Sequence, residues 1–189
     1  GELRTIQGAI SWTNTDPNDV RNKLEIGGGI TYDGGGYAIT TTRFIFETEP
    51  TRAVALGDFD PELKVDRLVN AILDFPNGQA NFLASQCLAP YERTVICGTE
   101  GRIEIPTPYN AAGDAPNKLI IDDGSTYDGS SAVVEEMAVV DQYTLEAELF
   151  SDAVRTDGPQ LVPLEYTINN MRAIDAVQRS MRSGAWETV

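Results

Sequence analysis

The chain has 189 residues, 41% of them apolar, which is enough for one sizeable core in a single domain spanning 1–189. No apolar run reaches the roughly 18 residues of a membrane helix. Its 29 acidic residues against 14 basic ones leave a net charge of −15, which speaks against nucleic acid and against an anionic membrane surface and fits a neutral substrate. Histidine is absent, so a Ser-His-Asp triad, imidazole acid–base chemistry and the usual zinc sites are excluded.

In chain order, residues 4–12 alternate, with Ile6, Gly8, Ile10 and Trp12 on one side, and read as a half-buried strand. Residues 13–26 are polar and read as a loop. The glycine-rich segment 27–37 follows, then a helix over 38–46 that ends near Glu49-Pro50. A β meander comes next: strands at 51–57 and 65–75, the turn Pro76-Asn77-Gly78, and a return strand at 79–87. Strands at 92–97 and 102–105 form a second hairpin. Pro106, Pro108 and Pro116 mark an irregular loop, 118–121 is a short strand, and 122–131 is a polar insertion.

Two helices close the chain. Residues 141–155 place Tyr143, Ala147, Phe150 and Val154 on one stripe, and 164–183 place Leu164, Ile168, Met171, Val177 and Met181 on another, with Gly184 as the stop. Strands in the middle and helices at the ends predict an α+β fold, an open and largely antiparallel sheet with helices packed on one face. In strand 68–75, Val69, Ala71, Leu73 and Phe75 face one way, and Leu68, Asn70, Ile72 and Asp74 the other. The second set is apolar enough to predict a partner subunit over the open face. There is no basic start followed by an apolar h-region, and Cys87 and Cys97 read as two buried, reduced thiols of a cytoplasmic protein.

The segment Gly27-Gly28-Gly29-Ile30-Thr31-Tyr32-Asp33-Gly34-Gly35-Gly36-Tyr37 carries the most information. Each glycine in a helix or strand interior costs roughly 0.5–1 kcal/mol relative to alanine, and local sequence that contradicts stability concentrates at functional sites. The segment is not a phosphate cradle: neither the GxGxxG nor the GxxxxGK[ST] spacing fits, and no βαβ unit surrounds it. If the helix begins near Asp33, then Asp33 and Tyr37 share a face as i and i+4. The pair reads in two ways. In one, Asp33 caps the helix and Tyr37 is a half-buried ring with a satisfied hydroxyl. In the other, Tyr37 carries a proton to or from a substrate oxygen, which requires a cation to lower its pKa from the ordinary value of about 10. Arg21 and Lys23 lie just upstream, and a lysine from elsewhere would serve as well.

The stretch GGGITYDGGGYAITTTRFIFETEP resembles the start of the substrate domain of the glucose–fructose oxidoreductase/inositol dehydrogenase (Gfo/Idh/MocA) family, matching GGG-x-x-x-D-x-G-x-[YH] at every named position. CGTEGRIEI, DQYTLEAELFSDAV and NNMRAIDAVQRSMRSGAW are similar to later parts of that domain, in the same order. The resemblance implies a dihydrodipicolinate reductase-like α+β domain that forms the substrate pocket and, through its open sheet, a homo-oligomer. It implies a preceding Rossmann domain, absent here, that binds NAD or NADP. It also implies a Glu-Lys-Pro motif whose lysine would be the cation near Tyr37; Glu49-Pro50 does not replace it. The implied reaction is hydride transfer to or from a sugar, polyol or dihydrodiol. Tyr37 stands at the proton-transfer position, as in the xylose and dihydrodiol dehydrogenase branch, and Asp33 orients the reacting groups. Arg21 and Asn170 are candidate substrate contacts, with Asn169 and Asp175 on the same last helix. A non-catalytic carbohydrate-binding or scaffold module of the same fold is the competing expectation.

Overall fold

The computed structural model describes all 189 residues. Nine strands form one open sheet in the order β8-β7-β6-β5-β1-β4-β3-β2-β9. They are β1 (Leu3–Thr13), β2 (Arg52–Phe59), β3 (Asp66–Phe75), β4 (Gly78–Ser85), β5 (Cys87–Gly98), β6 (Arg102–Ile105), β7 (Lys118–Asp122), β8 (Val133–Glu136) and β9 (Glu187–Thr188). All neighbours are antiparallel except β1 and β4, which run parallel in the register Thr5↔Gln79 to Ser11↔Ser85. The expected meander is therefore split, because β1 is inserted between β4 and β5. The strand expected at 92–97 starts earlier, at Cys87, and β8 and β9 were not expected.

Three helices accompany the sheet: α1 (Gly36–Phe46), α2 (Gln142–Thr156) and α3 (Leu164–Ser183). The side of the sheet carrying Ile6, Ile10, Ala71, Leu73, Phe75, Ala80 and Phe82 packs with Ile39 and Phe46 of α1 and Ala173, Ile174, Ala176 and Val177 of α3. Small residues set the α3 spacing. Ala53 and Ala55 of β2 are buried, and a Cβ at Gly57 would lie 2.3 Å from Met181 Sδ, so a larger residue there would force the Met181 side chain to move. The Ser180 hydroxyl accepts the Ala55 N–H at 2.9 Å and donates to Ala185 O at 2.6 Å, and Gly184, in the left-handed region, closes α3 with its N–H on Ser180 O.

A buried arginine ties α1 to α3. Arg43 is 1% exposed, pairs with Glu49 through both Nε (2.5 Å) and Nη2 (2.7 Å), and lies 4.0 Å over the Tyr166 ring. The buried charge is thus matched by a bidentate carboxylate.

Two expectations are corrected here. Cys97 follows the inward-facing Ile96 and so turns to the opposite side of β5; it is half-buried, and Cys87, at the start of that strand, is exposed. Both thiols are free. Helix α2 forms, capped by Asp141, whose side chain accepts the Tyr143 N–H, but its stripe does not pack: Tyr143, Phe150 and Val154 are all more than 60% exposed, and no residue of α2 is buried. An uncovered helix of this length is marginal in water. Its amides should exchange with deuterium orders of magnitude faster than those of α3, as measured by mass spectrometry; α3-like protection would show that something covers α2 in solution.

Candidate active site

The glycine segment folds back on itself. Gly27, Gly28 and Gly29 donate their N–H groups to Leu24 O, Lys23 O and Arg21 O at 2.8–3.1 Å. A Cβ at Gly28 would lie 2.7 Å from the Arg21 and Lys23 carbonyls. Gly29 has φ +119°, and a Cβ there would lie 2.1 Å from Asp66 Oδ1. The donors that a pyrophosphate would need are spent inside the chain, so these residues do not fit a dinucleotide.

Asp66, 3% exposed at the head of β3, anchors the next turn. Its Oδ2 accepts the Thr31 N–H (2.7 Å) and the Thr31 hydroxyl (2.6 Å), its Oδ1 accepts Gln178 Nε2 (3.1 Å) from α3, and its carbonyl accepts the Ile30 N–H (2.8 Å). From there Thr31–Gly35 forms a π turn, with Gly35 N–H on Ile30 O, that runs directly into α1. The helical path thus begins before Asp33, and the extra residue of the wide turn is accommodated by glycines packed against Ile30, Ile10 and Phe82.

Asp33 and Tyr37 lie on consecutive turns of this path. Asp33 caps no backbone group; its carboxylate accepts from Arg21 Nε. Arg21 also contacts Asp19 and sits 5.9 Å over the Trp12 ring, and its bond to Asp33 holds the guanidinium pKa above its ordinary value. Tyr37 is 52% exposed, and no protein group bonds its hydroxyl. Its ring rests against Tyr109, with centroids 5.7 Å apart at 46°. The cap-and-buried-ring reading of the pair does not hold in this structure. Arg21 is committed to two carboxylates rather than to the phenol.

Beside Asp33 lies a concavity of about 280 Å³ lined by Arg21, Ile26, Gly28, Tyr32 and Asp33, and Tyr37 stands outside it. Tyr32 was missed by the sequence reading although it lies inside the motif. Its hydroxyl donates to Asp175 Oδ1 at 3.4 Å, and burial, then that carboxylate, raise its pKa. Asn170 is not brought to this cleft. Its Oδ1 accepts from Arg43 Nη1 (3.1 Å), and its Nδ2 donates to Gly36 O (3.4 Å), so it braces α3 against the start of α1.

The profile described as GFO/IDH/MocA C-terminal domain matches residues 1–104. The chain belongs to the GFO/IDH/MocA family. Among its relatives, an uncharacterized oxidoreductase of Rhizobium meliloti is 40% identical over 190 residues, covering 100% of this chain and 57% of that protein. The D-xylose 1-dehydrogenase (NADP(+)) 2 of Haloferax volcanii is 30% identical over 172 residues, covering 89% and 50%. The chain spans about half the length of these curated relatives. Among solved structures, the aldose-aldose oxidoreductase of Caulobacter crescentus, complexed with glycerol, superposes with a TM-score of 0.86 at 21% identity, over 100% of this GFO/IDH/MocA chain and 56% of that one. A 3-ketoreductase of Actinomadura kijaniata, in complex with NADP, gives 0.81 at 20%, over 95% and 54%. At such identities the likeness establishes the fold. No helix of the chain is long and apolar enough to cross a membrane.

Proposed function

We propose that this chain is the substrate-binding and oligomerisation part of an NAD(P)-dependent oxidoreductase that acts on CH–OH groups of a sugar, polyol or dihydrodiol. The carrying observation is the Tyr37 hydroxyl, exposed and without a protein partner, one turn beyond Asp33 in a family whose curated relatives are named as oxidoreductases. Tyr37 takes a proton from the substrate hydroxyl in oxidation or returns it to the carbonyl in reduction. Asp33, fixed by Arg21, orients neighbouring hydroxyls as a hydrogen-bond acceptor, and Arg21 meets substrate through the guanidinium edge left exposed. Asn170 holds the first turn of α1 and so serves Tyr37 from behind. The substrate class follows two relatives, the xylose dehydrogenase and a Xenopus laevis trans-1,2-dihydrobenzene-1,2-diol dehydrogenase that is 33% identical over 84 residues.

A nicotinamide supplies or accepts the hydride in such a reaction, and we place its site outside these 189 residues. Titrating the chain with NADPH should leave the coenzyme fluorescence unchanged; saturable quenching would overturn that placement. The face of the sheet away from the helices, where Leu56 and Ile72 are exposed, is the surface for a second copy.

A further inference from the structure

The loop between β6 and β7 carries a residue that neither motif nor periodicity marks. Tyr109 lies in it, and its ring is the wall against which the Tyr37 ring rests, 5.7 Å between centroids. Two residues hold that wall. The Tyr109 hydroxyl is 3.2 Å from the Thr94 hydroxyl, which is fully buried on β5. Glu92 Oε1 accepts the backbone N–H groups of Tyr109 (3.4 Å) and Asn110 (3.0 Å), and its Oε2 accepts Asn110 Nδ2 (2.6 Å). Gly8, paired with Thr94 on one side and Phe82 on the other, lies beside the hydroxyl: a Cβ built there would be 3.5 Å from both Tyr109 Oη and Ala38 Cβ, an ordinary contact distance. Ala38 is the residue after Tyr37, so the seat of Tyr109 and the first turn of α1 share one floor.

We infer that Tyr109 is a positioning residue for Tyr37. Its ring, fixed from behind by Thr94 and the Glu92 clamp, sets the plane of the Tyr37 ring and keeps the phenol oxygen presented to a bound hydroxyl or carbonyl. The inference rests on the proposed role of Tyr37. An exposed phenol on a helix surface samples several rotamers, and a reacting oxygen held in one of them saves that loss of freedom at the transition state. Tyr109 acts as a wall, its hydroxyl engaged with the buried Thr94 hydroxyl, and burial pushes its pKa above the ordinary tyrosine value.

The test compares Tyr109→Phe with Tyr109→Leu. In the 189-residue chain, ¹³C-labelled tyrosine rings are followed by NMR, with the Tyr37 signal assigned by its loss in Tyr37→Phe. Tyr109→Leu should shift the Tyr37 ring signal and lower its ring order, and Tyr109→Phe, which keeps the ring and the Glu92 clamp and loses the contact with Thr94, should restore most of both. In the longer polypeptide, Tyr109→Leu should lower kcat about tenfold with KM unchanged, the size of one lost aromatic pair, with recovery in Tyr109→Phe. If Tyr109→Leu does not fold, Tyr109→Met takes its place, since it fills the space without a ring plane. A Tyr37 ring signal indifferent to the loss of the Tyr109 ring overturns the inference. A changed ring signal with unchanged turnover overturns the inference where Tyr37→Phe impairs turnover, and counts against proton transfer by Tyr37 where Tyr37→Phe does not.

Discussion

If the chain is part of the oxidoreductase proposed above, Tyr37→Phe in that protein should lower kcat by about 10²–10⁴-fold, the range for loss of a positioned proton carrier. Coenzyme affinity and thermal stability should stay at wild-type values. The substitution is well isolated by its surroundings. Phenylalanine keeps the ring against Tyr109, and the atom removed bonds no protein group, so nothing buried is left unpaired. Steady-state kinetics with the preferred sugar or diol, alongside a coenzyme titration, decide the matter. Near-wild-type turnover would remove Tyr37 from the chemistry. A matching fall in coenzyme affinity would show that the phenol acts through binding instead.

Asp66→Ala should cost about 3–5 kcal/mol of stability, because it strands the Thr31 N–H, the Thr31 hydroxyl and the Gln178 amide in the interior, each such buried donor being worth about 1–3 kcal/mol. For a domain of this size that is a fall in Tm of roughly 6–20 °C. Circular dichroism melting measures it. Asp66→Asn retains one side-chain acceptor and should fall between the variant and the wild type. A loss of no more than about 2 °C in Asp66→Ala would mean that the π turn holds without its anchor. The damage should also reach the site, since the turn that Asp66 holds carries Asp33 and leads into Tyr37.

Where the chain's local chemistry is decisive, the sequence was readable. Pro76-Asn77-Gly78 marks the β3–β4 hairpin, the alternation of Val69, Ala71, Leu73 and Phe75 marks its inner face, and Gly184 marks the end of α3. The parallel pairing of β1 with β4 was not readable, because it joins residues more than seventy positions apart and leaves no trace in either strand alone. The π turn was hidden because glycines permit nearly any backbone, so its shape comes from Asp66, far along the chain. The stripe of α2 was read correctly as a helix face, but periodicity does not say whether a face is covered.

Within the site, Asp33 and Tyr37 were marked by residue type and spacing. The partners of Arg21 and Asn170 were not, since a polar side chain on a loop or helix reveals its destination only in three dimensions. Tyr109 lay in a proline-rich loop with no period to read, and only the contact with Tyr37 distinguishes it.

The placement of β1 has a kinetic consequence. The first strand of this sheet to be made occupies an interior slot, flanked by β4 and β5, whose residues are made much later. Until β5 (Cys87–Gly98) has been synthesised, β1 has at least one bare edge, and the sheet ends at β1. Such long-range closure is slow and leaves an unpaired apolar strand waiting, so the nascent chain passes through an interval in which holdase chaperones and misassembly compete for the same segment.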